Sequence, residues 1–237
     1  MRKVYDLNID NIIPIVQEVL VQQKMTGRAP SPRVLQLLEQ ALDIFHDLAR
    51  PRGVLEDFSI GEFPELYQGN GMNAPDGPVP AIVAGADAVA VMAATMGDAL
   101  AVKSSQLFAE GSAALGYMMD AVNSVGAERL GRRMCDLFLE ALPLEMRGQE
   151  NLRVQYYCPG HCGWHISGQD RIFATLHPED IGMSVNPRWV MFPFKSISGL
   201  VVAADIEVHR FQYGFSFCPQ CRERKCVERF EQLASVR

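Results

Sequence analysis

Five cysteines of this 237-residue chain fall into two tight groups. Cys158 and Cys162 flank a Pro-Gly-His turn, and Cys218, Cys221 and Cys226 stand in Cys-Pro-Gln-Cys-Arg-Glu-Arg-Lys-Cys. In a reducing compartment, clustered thiols act as metal ligands or redox thiols more often than as structural disulfides. A tetrahedral zinc or a cubane cluster takes four protein donors, so one of the five is spare. Two zinc knuckles would show two C-x2-C pairs, whereas a triplet with a remote fourth cysteine is common around iron–sulfur clusters. The spacing favours an iron–sulfur centre, 4Fe-4S first, and leaves a structural zinc and a metal-free role open. Cys162 is the preferred fourth ligand beside Cys218, Cys221 and Cys226, because it lies beyond the bend at Gly160. Cys158, at the end of a strand, is the alternative. Cys135 stands alone in an apolar stretch and reads as a small core residue.

Other groups near these cysteines could take part. His161 sits on the loop between two of them and can ligate a metal or meet a substrate. Trp164, Phe215 and Phe217 flank the ligands and are expected either to exclude water or simply to fill the core. Arg222, Arg224, Lys225 and Arg229 outnumber Glu223, Glu228 and Glu231. That basic rim suits an acidic partner or, equally, a solvated helix face. His165 and His177 are expected to support a turn and end a helix, and His46 and His209 to carry no direct function.

The composition narrows the class. A formal charge of −6 argues against general nucleic-acid binding. The first ten residues lack the apolar run of a signal peptide, and Ala81–Met96 is too short and too rich in Ala and Gly to span a bilayer. The expectation is a cytoplasmic protein without membrane contact. Its length suffices for a sizeable core.

These sites need elements to position them. Ile9, Ile12, Ile13, Val16, Val19 and Leu20 recur at helical spacing, with Pro14 near the start of that helix. Ser31 caps a second helix and Pro32 opens it, with Leu35, Leu38, Leu42, Phe45 and Leu48 as its stripe. Residues 54–60 read as a strand, 67–80 as a Gly/Pro/Asn loop, and 86–95 as a strand buried on both faces. Helix follows to about residue 142 with a break at Gly111, burying Leu115, Met118, Met119, Val122 and Val125. Strands are expected over 153–158, 189–203 (with a turn at 194–196) and 210–217. Ser167 is expected to cap a short helix between the first two of these. Helices early and strands late give an α+β fold, N-terminal helices on a mixed, mainly antiparallel sheet. Residues 1–210 form the main domain. Residues 211–237 form a cysteine-rich tail that completes a site with the 158–162 loop.

Two stretches carry a family resemblance: Tyr156-Tyr-Cys-Pro-Gly-His-Cys-Gly-Trp164 and Met191-Phe-Pro-Phe-Lys-Ser-Ile-Ser-Gly199. They resemble the Arg-x-x-Pro-Gly-Tyr and Pro-x-x-Ser-Val-Ser-Gly motifs of the reactivation domain of cobalamin-dependent methionine synthase, and still more its free-standing relatives. The similarity covers roughly residues 85–205. It implies a module that docks over a corrinoid held by a partner methyltransfer protein and helps return cob(II)alamin to its active form. Pro159, Gly160 and His161 match the loop that lies over the corrin, and Ser196, Ser198 and Gly199 match the second motif. The family Arg is replaced by Tyr156, and the Tyr after Pro-Gly by His161. Losing that Arg removes a natural partner for the carboxylate of S-adenosylmethionine, so weak or absent binding of that cofactor is expected. The resemblance and the cysteines together suggest an activation accessory whose metal centre relays an electron to the corrinoid. A non-catalytic module with structural zinc and an S-adenosylmethionine-dependent remethylating enzyme are the alternatives.

Overall fold

A computed structural model describes residues 1–25, 27, 29–210 and 214–220. In chain order the elements are β1 (Arg2–Asp6), α1 (Val16–Gln22), α2 (Pro32–Leu48), β2 (Arg52–Phe58), α3 (Phe63–Leu66), α4 (Val79–Ala84), β3 (Ala88–Thr95), α5 (Ala99–Ala109) and α6 (Ala113–Ala141). They continue with α7 (Leu144–Arg147), β4 (Leu152–Tyr157), α8 (Gly168–Leu176), β5 (Ser184–Val185), β6 (Met191–Phe192), β7 (Ile197–Asp205) and α9 (Ile206–His209). One five-stranded sheet runs β1-β2-β3-β7-β4, and β5-β6 form a separate hairpin. Every pairing is antiparallel, so the mixed sheet expected from sequence is wholly antiparallel among the described residues.

Helices cover both faces of the sheet. Because side chains alternate along a strand, Ala90, Met92 and Ala94 of β3 pack with Phe45, Met119, Leu130 and Met134 of α2 and α6. Val89, Val91 and Ala93 face the other way, onto Phe63, Val79, Ile172 and Leu176 of α3, α4 and α8. This double burial explains why 86–95 reads as continuously apolar. It is the environment of a central strand covered on both faces, here in an antiparallel sheet.

Several elements form as the sequence indicates. Ser31 Oγ accepts from the Val34 N–H at the start of α2, and Pro32 occupies the first turn. The apolar stripe of α2 is rotated from the expected one. Leu37, Leu38, Ala41 and Phe45 are buried, whereas Leu35 is exposed. Cys135 is buried in the core as expected.

Other elements differ. The expected first helix is split: Ile9–Asn11 form a 3-10 turn and α1 begins only at Val16. Pro14 falls between them, where its missing N–H and fixed φ interrupt a continuous helix. Residues 189–203 form two pieces, β6 and β7, separated at the expected 194–196 turn, which holds Lys195 at φ +63°. Ser167 does not cap α8 through its side chain, because its hydroxyl faces His165 Nδ1 at 2.9 Å instead. Of the last expected strand, 211–213 lie outside the described residues, and 214–217 are loop and turn. No helix among the described residues is long and apolar enough to cross a membrane.

Candidate functional site

Strand register brings the two motifs together. β4 and β7 pair antiparallel with Tyr157 opposite Leu200 and Tyr156 opposite Val201. The end of β4, leading into Cys158-Pro159-Gly160-His161, therefore lies beside the start of β7 and the Ser196-Ile197-Ser198-Gly199 segment. Gly199 is required by this approach. A Cβ there would run into the Tyr157 carbonyl oxygen and lie 3.1 Å from Cys158 Cα. Backbone atoms cannot step aside as a flexible side chain can.

The Pro-Gly loop is closed by its own backbone. The His161 N–H donates to Cys158 O at 3.1 Å, Trp164 N–H to His161 O at 2.9 Å, and Gly160 N–H to Trp164 O at 2.7 Å. This double turn needs positive φ at Gly160 (+91°), Cys162 (+51°) and Gly163 (+74°). Glycine adopts that region at little cost. Pro159 is buried, while Gly160 and His161 stand exposed at the tip. Trp164 is 1% exposed, so it is core rather than a rim aromatic.

The serines of the second motif point into built polar contacts. Ser198 Oγ donates to Gln169 Oε1 at 2.6 Å, with both residues buried. Ser196 Oγ donates to Pro193 O at 2.6 Å and lies 2.9 Å from Thr95 Oγ1. Thr95 Oγ1 accepts from the Gly97 N–H at 3.1 Å, which leaves its own hydrogen for Ser196. The intervening Lys195 holds its turn onto α6, with Nζ 3.0 Å from Asp120 Oδ1 and 2.9 Å from Ser124 Oγ. The same turn presents Phe192 and Phe194, both exposed and in edge contact at 5.0 Å between ring centres. Exposed aromatics, a glycine tip and His161 thus share one end of the sheet.

The cysteine groups are joined by a third loop, 67–78. Ala74 N–H donates to Gly163 O at 2.8 Å, and His165 N–H to Asn73 Oδ1 at 2.8 Å. Ser216 gives Asp76 two hydrogen bonds, which hold the Asp76 carboxyl below its usual range. Gly163 packs so tightly between Ala74 and Phe217 that a Cβ there would lie 2.9 Å from each. Phe217 stacks on Phe215 at 5.4 Å. Residue 163 adjoins Cys162 and residue 217 adjoins Cys218, so the loop brings these two candidate ligands to one region.

Cys221, Cys226 and the basic rim from Arg222 to Arg229 lie outside the described residues. Among the described residues, no group of three or more His, Cys, Asp or Glu is placed to hold a metal. Cys162 and Cys218 are therefore the part of the proposed ligand set that can be located, and Cys158 remains half-buried beside the core.

Sequence reasoning missed four contributors. Asp76 falls in the stretch read as a Gly/Pro/Asn loop, but its partner 140 residues away was not legible. Gln169 carries no signal beyond being a polar residue in an amphipathic helix. Tyr67 looked like the edge of a loop. His209, expected to be inert, is fully buried. Its Nε2 lies 3.0 Å from Arg153 O, and its Nδ1 lies 2.8 Å from Tyr157 OH. The Arg153 carbonyl accepts only, so Nε2 carries the proton and Nδ1 accepts from the tyrosine. Burial lowers the pKa of this imidazole, against weaker opposing contributions from the Arg153 carbonyl and Asp205.

Tyr156, at the position of the family Arg, is buried and packs against α6. A Cβ on Gly131 would lie 3.0 Å from its ring. The nearest arginine in sequence, Arg153, sits at the far end of β4, opposite Ala204, with its guanidinium on the carbonyls of Glu150 and Leu152.

No family model matches the sequence, and no curated protein matches it. Among solved structures, the MetH reactivation domain bound to AdoHcy matches with a TM-score of 0.60 at 15% identity. The match covers 91% of this chain and 81% of that one. The chain thus has the fold of the MetH reactivation domain, in line with the paired motifs.

Proposed function

We propose that this protein is an activation accessory for a corrinoid protein. It docks its Pro159-Gly160-His161 tip over the partner's corrin and supports reductive reactivation of cob(II)alamin through a cysteine-ligated metal centre. The observation that carries the docking half is the β4–β7 register, which sets the Pro-Gly tip beside the Ser-Ile-Ser-Gly segment on the fold of the MetH reactivation domain. An exposed tip with no side chain at Gly160 suits close approach to a flat macrocycle. Phe192 and Phe194 offer apolar contact beside it.

The metal half rests on the convergence of Cys162 and Cys218 on the 67–78 loop. Residues 211–237 then act as the tail that completes the site with Cys221 and Cys226. Cys158 is the substitute for Cys162. Thiolates at this spacing suit an iron–sulfur centre or zinc, and the buried Tyr67 hydroxyl, which has no hydrogen-bond partner, is compatible with a sulfur-rich neighbour. An iron–sulfur centre bound here would supply one electron at a time. The chain's own residues would position the tip and hold the tail through Asp76. S-adenosylmethionine or a related ligand, suggested by the AdoHcy in the similar structure, lacks its arginine partner here.

The test is a visible-absorption titration of cob(II)alamin, free and on corrinoid proteins, with wild type and Gly160→Val. The reading predicts a spectral change with wild type and weaker affinity with Gly160→Val. The absence of any change with every corrinoid species would overturn it.

A further inference from the structure

The segment that carries Phe192 and Phe194 is fastened at both ends. At one end, Trp189 Nε1 donates to Asp170 Oδ2 of α8 at 2.7 Å, and the indole makes edge contact with the His165 ring at 5.5 Å between centres. His165 continues the Pro-Gly loop. Its N–H donates to Asn73 Oδ1, and its Nδ1 accepts from the Ser167 N–H at 3.2 Å, so the ring that meets the indole is itself held. At the other end, Lys195 Nζ lies 3.0 Å from Asp120 Oδ1 and 2.9 Å from Ser124 Oγ, both on α6. Because α8 and α6 pack on opposite faces of the sheet, the segment is tied to both layers. Both anchor residues stand at positive φ, +60° at Trp189 and +63° at Lys195, a region that residues with side chains enter uncommonly. Between them Met191 packs into the core, while Val190, Phe192 and Phe194 are exposed. The β5–β6 hairpin has only two residues in each strand, and so short a pairing is marginal by itself. The two fastened ends supply the order that the strand pairing does not.

We propose that Trp189 and Lys195 are positioning residues of the docking surface. They hold the Phe192–Phe194 pair where it meets the corrinoid-bearing partner beside the Pro159-Gly160-His161 tip. This rests on the docking reading above and is independent of the metal centre. Aromatic side chains that are already ordered lose less conformational freedom on binding, and the difference appears as affinity. Asp170 and Asp120 are both exposed, and an exposed ion pair such as Lys195–Asp120 adds little to folding stability. The effect of the anchors is on where the segment stands.

The test is the affinity for cob(II)alamin, free and on a corrinoid protein, read by visible absorption. Trp189→Phe keeps an aromatic ring against His165 and deletes the Nε1 donor. Lys195→Met keeps the aliphatic stem and deletes the ammonium. Each should leave the thermal midpoint little changed and weaken binding about 5-fold. In a Phe192→Ala/Phe194→Ala background, neither should weaken binding further, because no aromatic pair is left to position. A merely structural role would give the same loss in both backgrounds and would overturn the proposal. So would wild-type affinity in Trp189→Phe and Lys195→Met, or in the alanine background itself. Weaker binding by Gly160→Val together with wild-type affinity in both anchor variants would overturn this proposal and leave the docking reading standing. Failure of the docking reading would appear in wild type itself, as no spectral change with free or protein-bound cob(II)alamin, and the proposal would fall with it.

Discussion

Ser216 and Asp76, 140 residues apart, are joined by two hydrogen bonds, from N–H to Oδ2 at 2.6 Å and from Oγ to Oδ1 at 2.7 Å. Through this pair the loop beneath the Pro-Gly turn holds the segment that carries Cys218. We expect Asp76→Ala to leave the sheet and helices folded by circular dichroism and to speed amide exchange over Phe215–Cys218. Metal retention should fall with it. Unchanged exchange at Ser216 would show that the pair does not hold the segment.

The Ser198–Gln169 contact ties β7 to α8 in a fully buried setting. Ser198→Ala should leave the Gln169 carbonyl without its donor and cost about 1–3 kcal/mol in urea unfolding. Ser198→Thr, which keeps the hydroxyl, should recover part of that loss.

His209 gives a pH dependence with a defined sign. Its folded pKa is lowered by burial, so near and below the ordinary value of 6.5 the unfolded chain binds more protons than the folded one. Stability from this group is full above 6.5 and falls as pH drops through the folded value. The thermal midpoint of wild type should therefore decrease more between pH 7.5 and pH 5.5 than that of His209→Gln. Parallel curves would remove this role.

Tyr156 lies under α6 where the family pattern has an arginine. Calorimetric titration with S-adenosylmethionine should reach no saturation at concentrations that fill a typical cofactor site. Tight one-to-one binding would favour the remethylating alternative and require another cation to hold the carboxylate.

Local signals made much of the fold legible. Ser31-Pro32 marked the start of α2, Gly111 the break before α6, and the unbroken apolar run the central strand. Pairing of β4 with β7 was not readable, because register depends on contacts between segments some 45 residues apart. The second motif was readable as chemistry before its place was known. Ser198 and Gly199 proved to be fixed by a buried amide and by a carbonyl oxygen, neither of which any local pattern encodes. The same holds for the 67–78 loop. Its Gly/Pro/Asn composition marked it as a loop, and its role as the bridge between two cysteine groups was not readable. The split of the first helix was the most accessible of the misses, since Pro14, read as tolerated near the helix start, lies five residues beyond Ile9, where a proline interrupts the helix.

The central claim is electron delivery to a docked corrinoid, and its most direct measurement is visible absorption of cob(II)alamin on a corrinoid protein. The anaerobically purified protein, reduced beforehand and freed of excess reductant, would be mixed with that partner. One electron would pass from the reduced centre to Co(II), giving Co(I). We expect loss of the cob(II)alamin spectrum with wild type, and much slower loss with Gly160→Val or with Cys162→Ser. An unchanged cob(II)alamin spectrum with fully reduced, metal-loaded wild type would contradict the claim.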